Sequence, residues 1–326
     1  MHSEYAVEVK GLKKSYGNTQ ALNGISMHVP WGQIYGFLGP NGAGKSTLIQ
    51  ILTTLMLPSS GSAKVAGYDV NHDHAKIRFQ IGVALQDTGI DPLLTGWELL
   101  TLQARLFGMN GKTARERATE LLKEFDLVDV ANKRVKTYSG GMRRRLDLAL
   151  ALVHRPSILF LDEPTTGLDP ANRIGLWSLL RDFGRNSGTT IFLTTQYLEE
   201  ADALCDIIAI INHGKIIAQD TPTGLKRLMK RDVIEIEPES PSALDQAVTL
   251  LQSHYQDLKV DRGVVRLQVP HGAGEITILM ERLREVDIGL ASLKVTPPTL
   301  DDVFLELTRD SGETDDNSTE HEGVSS

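Results

Sequence analysis

The sequence predicts an α/β fold with a largely parallel sheet over residues 1–222, followed by a small α+β module over residues 223–309. In the first part, short apolar runs alternate with segments of helical periodicity, which is typical of parallel strands joined by helices. In the second part, two helical patterns lie among four short strand patterns. A length of 326 residues fits two ordinary domains, and 41% apolar with 23% charged residues is a globular composition.

The strand patterns of the first part can be followed along the chain. Apolar residues alternate at 5–9 and at 25–29, which indicates two half-buried strands. A compact apolar run at 34–38 enters a glycine-rich loop, and a helix-compatible stretch over 46–57 follows and stops at Pro58. Further strand-like runs lie at 81–85, 158–161 and 190–193.

A helical insert is expected at about 96–137, where leucines recur at helical spacing. After a change of character near 222–232, the chain predicts the order strand, helix, strand, strand, helix, strand, which matches a small ferredoxin-like module. These six elements are expected at 233–236, 243–254, 258–260, 264–269, 276–284 and 290–295. An amphipathic helix over 299–308 follows, and the polar, acidic tail over 310–326 is expected to be disordered.

The charge of the chain is concentrated at its end. There are 34 Lys and Arg against 42 Asp and Glu, a net charge of −8, and six of the carboxylates lie in the last 17 residues. The remaining chain has a net charge of −2, so its charge gives no reason to expect nucleic acid as a partner. The basic triplet Arg143–Arg145 is interpreted as the charged flank of a helix or as a contact to a partner.

A single cysteine and the lack of long apolar runs bear on location. Cys205 cannot form an intrachain disulfide, which favours a reducing compartment, and its apolar neighbours predict a small buried side chain. The first residues lack the basic and then apolar run of a signal peptide. No stretch approaches 18 consecutive apolar residues, so we expect another chain to provide any membrane crossing.

A phosphate loop is predicted directly after the run at 34–38. Residues 39–46 fit the pattern G-x-x-x-x-G-K-[S/T], in which glycines let backbone N–H groups turn toward one anion and the following helix adds partial positive charge. Lys45 is expected to place its charge on the terminal phosphates, and the Ser46 hydroxyl to bind magnesium. The predicted nucleotide-binding residues are Gly39, Pro40, Asn41, Gly42, Ala43, Gly44, Lys45, Ser46 and Thr47.

Two acids, Asp162 and Glu163, end the strand pattern at 158–161. Adjacent residues of a strand point to opposite faces, so the two carboxylates can take different roles. Asp162 suits the coordination shell of magnesium, and Glu163 could polarise the attacking water. Alone, such a pair is more often part of a solvated loop, but together with a phosphate loop it favours hydrolysis.

A second glycine pair precedes another helix pattern. The residues concerned are Ser139, Gly140 and Gly141, and they offer a hydroxyl and a bare helix N-terminus suited to a phosphate. The motif over 138–143 resembles the signature of ABC ATPases, with Tyr and Met where Leu and Gln are common. An isolated Ser-Gly-Gly would be an ordinary helix cap. Here the order of the motifs (phosphate loop, signature, strand with two acids) favours the family.

The resemblance implies ATP and Mg²⁺ as ligands, and further site residues. Tyr16 resembles the aromatic residue that stacks on adenine, Gln86 the glutamine that touches magnesium and the attacking water, and Asp169 the D-loop residue at the dimer interface. Where the family usually has a switch histidine, the chain has Gln196, which can donate a hydrogen bond to the γ-phosphate but cannot hold a proton near neutral pH. Glu163 is therefore the better candidate base. The implied catalytic residues are Glu163, Gln196 and Gln86, and the implied metal ligands are Ser46, Gln86 and Asp162.

The resemblance also implies an architecture and an assembly. It implies a P-loop ABC ATPase domain with a mixed sheet core over residues 1–222. In this family the signature of one subunit closes over the ATP on the phosphate loop of another, so a chain with one of each implies a head-to-tail dimer. The runs at 138–147, 194–201 and 299–308 resemble those of ATP-binding subunits of daunorubicin/doxorubicin-resistance exporters, a subgroup that Gln196 also fits.

The implied function is ATP hydrolysis that powers the export of drugs, antibiotics or other amphipathic compounds. The chain would lie peripherally at the cytoplasmic face of the cell membrane on a separate integral-membrane permease, and would not bind cargo directly. Two alternatives stay open: a soluble ABC ATPase acting on nucleic acid or ribosomes, and a regulatory ABC ATPase without transport. ABC ATPases of DNA repair separate the phosphate loop from the signature by long coiled coils. Here Lys45 and Ser139 lie 94 residues apart with no heptad pattern between them, which argues against that class.

Overall fold

The computed structural model divides the chain into two compact units, Met1–Pro222 and Thr223–Ser326. The residues it describes are 3–86, 89–229, 232–255, 258–270, 272–296 and 298–309. The predicted disordered tail over 310–326 therefore lies outside the described residues. Among the described residues, no helix has both the length and the apolar character needed to cross a membrane.

The first unit alternates strands and helices. Its elements in chain order are β1 (Val7–Tyr16), β2 (Thr19–Val29), β3 (Ile34–Leu38), α1 (Lys45–Leu52), β4 (Ser60–Val65), β5 (Tyr68–Asp69), α2 (His74–Gln80), β6 (Ile81–Ala84), α3 (Gly96–Leu106), α4 (Gly111–Glu124), α5 (Gly140–Ala151), β7 (Ile158–Asp162), α6 (Pro170–Ser187), β8 (Thr190–Thr195), α7 (Leu198–Leu204), β9 (Ile207–Asn212) and β10 (Lys215–Asp220). Two 3-10 turns lie between α4 and α5, at Val128–Val130 and Val135–Thr137. A short helix, α8 (Pro222–Leu228), begins at the boundary between the units.

The predicted parallel sheet is confirmed. Six strands lie in the order β10-β9-β3-β8-β7-β6, and all neighbours are parallel except β9 and β10. A second, antiparallel sheet has the order β2-β1-β4-β5. Strands β3, β7 and β8 are buried along their whole length, as expected for parallel strands covered on both faces.

The register of these three strands determines where their carboxyl ends lie. Leu38 of β3 pairs with Thr195 of β8, and Thr194 of β8 pairs with Asp162 of β7. The residues that follow β3, β7 and β8 therefore meet at one edge of the sheet. In open α/β sheets this edge is where ligands bind.

The first predicted helix is shorter than expected. The pattern over 46–57 predicts a helix up to Pro58, but α1 ends at Leu52. The Thr53 hydroxyl donates a hydrogen bond to the Ile49 carbonyl at 2.8 Å, and the next residue, Thr54, adopts a left-handed φ of 63° that turns the chain out of the helix.

The insert between β6 and β7 is helical, as predicted. Thr95 caps α3 with a reciprocal pair of hydrogen bonds to Glu98, and the Asn110 side chain caps α4. Helix α5 follows the insert, and its C-terminal end packs beside β6. This helix is important below, because the predicted signature lies at its start.

The second unit consists of one antiparallel sheet with two helices packed against it. Its elements are β11 (Asp232–Pro238), α9 (Pro241–Gln252), β12 (Leu258–Asp261), β13 (Val264–Val269), α10 (Gly272–Glu285), β14 (Leu290–Thr296) and α11 (Leu300–Arg309). The strands lie in the order β12-β13-β11-β14. Its core joins alternate residues of β11 and β13 to Leu251 of α9 and Leu279 of α10.

The contact between α5 and β6 depends on Gly82, and gives a test of the fold. A Cβ atom at Gly82 would collide with the carbonyl oxygen of Ala151 at the end of α5. We expect Gly82→Ala to lower the free energy of unfolding by about 1–3 kcal/mol, because the helix must move away from the sheet. Urea denaturation measures the change.

The matched control is Gly111→Ala at the first residue of α4, where an added Cβ meets no atom within 4 Å. This variant should keep its stability or gain a few tenths of a kcal/mol, to about 1 kcal/mol, from helix propensity. Equal free energies of unfolding for the two variants would contradict the proposed contact.

Candidate nucleotide-binding site

The predicted phosphate loop lies at the carboxyl edge of β3. The Gly39 N–H donates to the Thr195 carbonyl at 3.2 Å, which ties the loop to β8. Gly44 caps α1 with a left-handed φ of 108°. A Cβ at Gly39 would collide with the Ile211 carbonyl, and one at Gly44 with the Ala21 carbonyl. Both glycines are therefore required by close backbone approach.

Lys45 is buried, with only 4% of its surface exposed, and its ammonium has three polar partners. Its Nζ donates to the Gly39 carbonyl at 2.8 Å and to the Pro40 carbonyl at 3.1 Å. The same Nζ lies 3.1 Å from Glu163 Oε1. Buried charges need such partners. The structure thus joins the loop lysine directly to the second of the two strand-end acids.

Asp162 binds the two hydroxyls that face it. Thr194 Oγ1 donates to Asp162 Oδ1 at 2.6 Å, and Ser46 Oγ donates to the same oxygen at 3.3 Å. A hydroxyl and a carboxylate side by side are hard oxygen ligands of the kind that Mg²⁺ prefers, and Mg²⁺ is usually held by one or two carboxylates together with substrate phosphates. In the described part of the chain, no cluster of three or more His, Cys, Asp or Glu side chains could hold a metal alone. The residues therefore fit magnesium shared with a nucleotide.

Glu163 has a strained backbone. Its φ is 47°, a left-handed conformation that is unfavourable for glutamate, and its N–H is held by both the carbonyl and the hydroxyl of Thr194 at 3.1 Å. Thr166 Oγ1 donates to Glu163 Oε2 at 3.2 Å. A strained backbone of this kind persists only where surrounding contacts fix its conformation. Such residues are concentrated at functional sites.

The signature residues form the exposed start of α5. Ser139 Oγ accepts from the Met142 N–H at 3.2 Å, and Ser139 and Gly140 are exposed. Gly141 is buried against the Asn172 side chain of α6. Among the described residues, no hydrogen bond joins this turn to the phosphate loop.

The D-loop residue Asp169 is connected to that turn through Asn172. Asp169 caps α6 by accepting from the Asn172 N–H at 3.0 Å and from its Nδ2 at 2.6 Å. These hydrogen bonds lower the pKa of the exposed Asp169 carboxyl. The signature and the D-loop are therefore in contact within one chain.

The remaining predicted residues lie around the same edge of the sheet or at a strand end. Gln86 is exposed two residues after β6, and Gln196 is half-buried directly after β8. Tyr16 ends β1, is 46% exposed, and donates from its hydroxyl to Met56 Sδ at 2.9 Å. Its ring faces the Lys14 ammonium, 5.3 Å from the ring centroid. An exposed ring of this kind can stack on a base.

Sequence reasoning missed several residues of the site. Thr194, which holds both acids, begins the run at 194–201 but is not among the predicted site residues, although a threonine at the buried end of a parallel strand is a usable signal. The triplet at 143–145 is predicted to be a charged flank or a partner contact, and for Arg144 this is wrong: it is only 7% exposed and bonds to backbone carbonyls. Arg145 instead pairs with Asp126 at 3.2 Å.

Two buried titratable groups, Glu200 and Cys205, follow Gln196 along the chain. Glu200 of α7 accepts from Trp177 Nε1 at 3.1 Å, and burial raises the pKa of its carboxyl. Cys205 is buried next to Gly36, as its apolar neighbours predict, and burial raises the pKa of its thiol well above the usual range. The thiol is therefore unreactive, and the side chain serves to fill space in the core.

The geometry agrees with the relatives of the chain. The ABC transporter family model matches residues 22–166. A dimeric ATP-binding cassette in a post-hydrolysis state, bound to ADP and Pi, has 28% identity and a TM-score of 0.61 and covers 66% of this chain and 98% of its own. CbiO1 of Clostridium perfringens, part of the ABC transporter complex CbiONQ, has 28% identity and a TM-score of 0.65 over 70% of this chain and 94% of its own.

The chain therefore belongs to the ATP-binding proteins of ABC transporters. Within this family it is 44% identical, over 316 residues and 95% of each chain, to the doxorubicin resistance ATP-binding protein DrrA of Mycobacterium tuberculosis. The P-loop fold with its mixed sheet is thus confirmed. So is the predicted membership of the resistance-exporter subgroup.

The contact between the signature and the D-loop can be tested by stability measurements. A Cβ at Gly141 would lie 2.7 Å from Asn172 Oδ1, and Asp169 holds that side chain in place. We expect Gly141→Ala to lower the free energy of unfolding by about 1–2 kcal/mol. In the Asn172→Ala background the same substitution should cost less, with an interaction energy of about 0.5–3 kcal/mol.

The control is Gly140→Ala, because an added Cβ there meets no atom within 4 Å. Its effect should be the same in both backgrounds. Purely additive effects for Gly141→Ala and Asn172→Ala would show that the two residues are not in contact.

Proposed function

We propose that the chain is the ATP-binding and ATP-hydrolysing subunit of an exporter of drugs, antibiotics or other amphipathic compounds. One observation carries this proposal: Lys45 and Ser46 of the phosphate loop contact Glu163 and Asp162 at one edge of the sheet. The similarity to a doxorubicin resistance protein supports the cargo class. The chain would work at the cytoplasmic face of the membrane, bound to a separate permease.

Binding of ATP uses the loop and the start of α1. The backbone N–H groups and the helix N-terminus attract the phosphates, and Lys45 adds a full positive charge. Ser46, Asp162 and Gln86 would hold Mg²⁺, and when bound the ion neutralises charge on the phosphates. Tyr16 offers its exposed ring to adenine.

Hydrolysis requires Glu163 to be released from Lys45. Within the chain the two side chains pair at 3.1 Å. A bound triphosphate competes for the lysine, and Glu163 can then accept a proton from the attacking water. Gln196, at the end of β8, donates from its amide to the γ-phosphate, and its role is to position this group without titrating.

A second copy of the chain would complete each site. The exposed turn of Ser139 and Gly140, supported by buried Gly141, offers a second helix N-terminus to the ATP of the partner copy. Asp169 would lie at the same interface. The dimeric cassette among the solved relatives supports a head-to-tail dimer with two shared nucleotides.

The two units would have separate tasks. We assign residues 1–222 to the ABC ATP-binding domain, with its helical insert at about 96–137. We assign residues 223–309 to a ferredoxin-like module, supported by its element order and its strand order β12-β13-β11-β14. The module would stabilise the dimer or contact the permease.

A cleft between the insert and β6, lined mainly by apolar residues and also by Arg78, Asp147 and His154, suits the permease. It has a volume of about 500 Å³ and lies beside Leu85, directly before Gln86. Leu102 of α3 lines it and is 49% exposed. Other apolar residues of its lining are Leu55, Val83, Ile90, Leu99, Phe107 and Leu150.

Glu163→Gln tests the hydrolytic mechanism. It should lower kcat for ATP by about 10²–10⁴-fold, because the amide cannot accept the proton, while nucleotide binding is retained. Phosphate release and fluorescence titration with a nucleotide analogue measure the two quantities. Gln196→His, in contrast, should keep its activity. Wild-type turnover by Glu163→Gln would refute the assignment of the base.

Capture from solubilised membranes tests the transport role. The tagged chain should co-purify with an integral-membrane subunit, and Leu102→Asp should weaken this association at least about tenfold by adding a charge to an apolar contact. Val128→Asp, at a residue that is 58% exposed and outside the cleft, should not. Recovery of ribosomes or DNA without any membrane partner would overturn the proposed role in export.

A further inference from the structure

Arg144 lies one turn into α5, directly behind the signature turn, and is 7% exposed. Its guanidinium bonds to the backbone on both sides of Glu163. Nε donates to the Pro164 carbonyl at 2.8 Å, and Nη2 donates to the Asp162 carbonyl at 3.3 Å. Asp162 is the last residue of β7, and Pro164 lies two residues beyond it.

The same guanidinium also bonds to the segment that carries Gln86. Nη1 donates to the Leu85 carbonyl at 2.8 Å, one residue before that glutamine. Arg144 is thus in direct contact with the strand ends that present two of the predicted catalytic residues. Only a planar fork with several fixed donors can reach all three carbonyls together.

Asp147 completes the arrangement from one turn further along α5. Its Oδ2 accepts from Arg144 Nη1 at 2.8 Å and balances the buried charge. Burial raises the pKa of this carboxyl to about 6, although the arginine opposes the shift. Both members of the ion pair therefore lie on α5, while Arg144 is also bonded to the segments that follow β6 and β7.

We infer that Arg144 is a positioning residue that couples the signature turn to Gln86 and Glu163 of the same chain. The inference rests on the proposed function, in which that turn binds the ATP of the partner copy. A shift of α5 on closure of the dimer would move the carbonyls of Leu85 and Pro164 together, because one rigid group holds both. Occupancy of one ATP site is thereby transmitted to the catalytic residues of the other.

The test separates this coupling from ordinary packing. Arg144→Gln alone leaves Asp147 buried without its ion pair, so the principal variant is Arg144→Gln with Asp147→Asn. The matched control is Arg115→Gln, which removes the same charge from an exposed position of α4 outside the predicted site. Circular dichroism and thermal unfolding of the full chain identify the variants that fold.

We expect the double variant to lose kcat by between about tenfold and a hundredfold, the cost of misplacing catalytic groups by about 1 Å. Its affinity for nucleotide should change less than about threefold, since Lys45 and the loop are untouched. The Hill coefficient for ATP should fall toward 1, and Arg115→Gln should behave as wild type. A folded double variant with wild-type kcat and Hill coefficient would overturn the inference, as would full activity of Arg144→Lys, which lacks the fork.

Hydrogen exchange keeps this test independent of the proposed function. If the wild-type chain hydrolyses no ATP in any assembly, the proposed function fails, but the contacts of Arg144 can still be measured. The amides of residues 83–86, 163, 165 and 166 should then exchange faster in the double variant than in Arg115→Gln. Unchanged exchange in both segments would overturn the inference on its own.

Discussion

The buried ion pair between Lys45 and Glu163 is the interaction on which the site depends. Neither charge could be removed from water alone, because an unpaired buried ion is strongly destabilising. The ion pair joins the phosphate loop, which follows β3, to Glu163, directly after β7. Thr194 of β8, the strand between β3 and β7, bonds to both Asp162 and Glu163. The phosphate loop and the two acids are therefore joined within one chain, and in the proposed mechanism a triphosphate would replace Glu163 as a partner of Lys45.

The parallel sheet makes this arrangement possible. Because β3 and β7 lie on either side of β8 in fixed register, three loops that are distant in sequence begin on adjacent strands at one edge of the sheet. Helix α5 approaches the same edge from the side, with its exposed turn toward solvent and Arg144 toward the strand ends. In the proposed dimer, one chain would thus present its signature turn to one ATP site and hold the catalytic residues of the other.

Contiguous motifs could be predicted from the sequence, but contacts between distant segments could not. The loop at 39–46 and the pair Asp162 and Glu163 follow directly from local patterns, since their chemistry needs neighbouring residues. Arg144 resembles an exposed arginine in a basic run, and only the packing of α5 on β6 and β7 shows that it is buried. Strand β4 was missed because its sequence, Ser-Gly-Ser-Ala-Lys-Val, is mostly polar and mostly exposed. The end of α1 was missed because it depends on one left-handed residue, Thr54.

The glutamine after β8 affects how the enzyme responds to acidity. A histidine at that position would change charge between pH 5 and 8, and would make the contact with the γ-phosphate depend on pH. The amide of Gln196 has no such transition. In the proposed mechanism the hydrogen bond from this residue to the γ-phosphate is consequently insensitive to modest acidification.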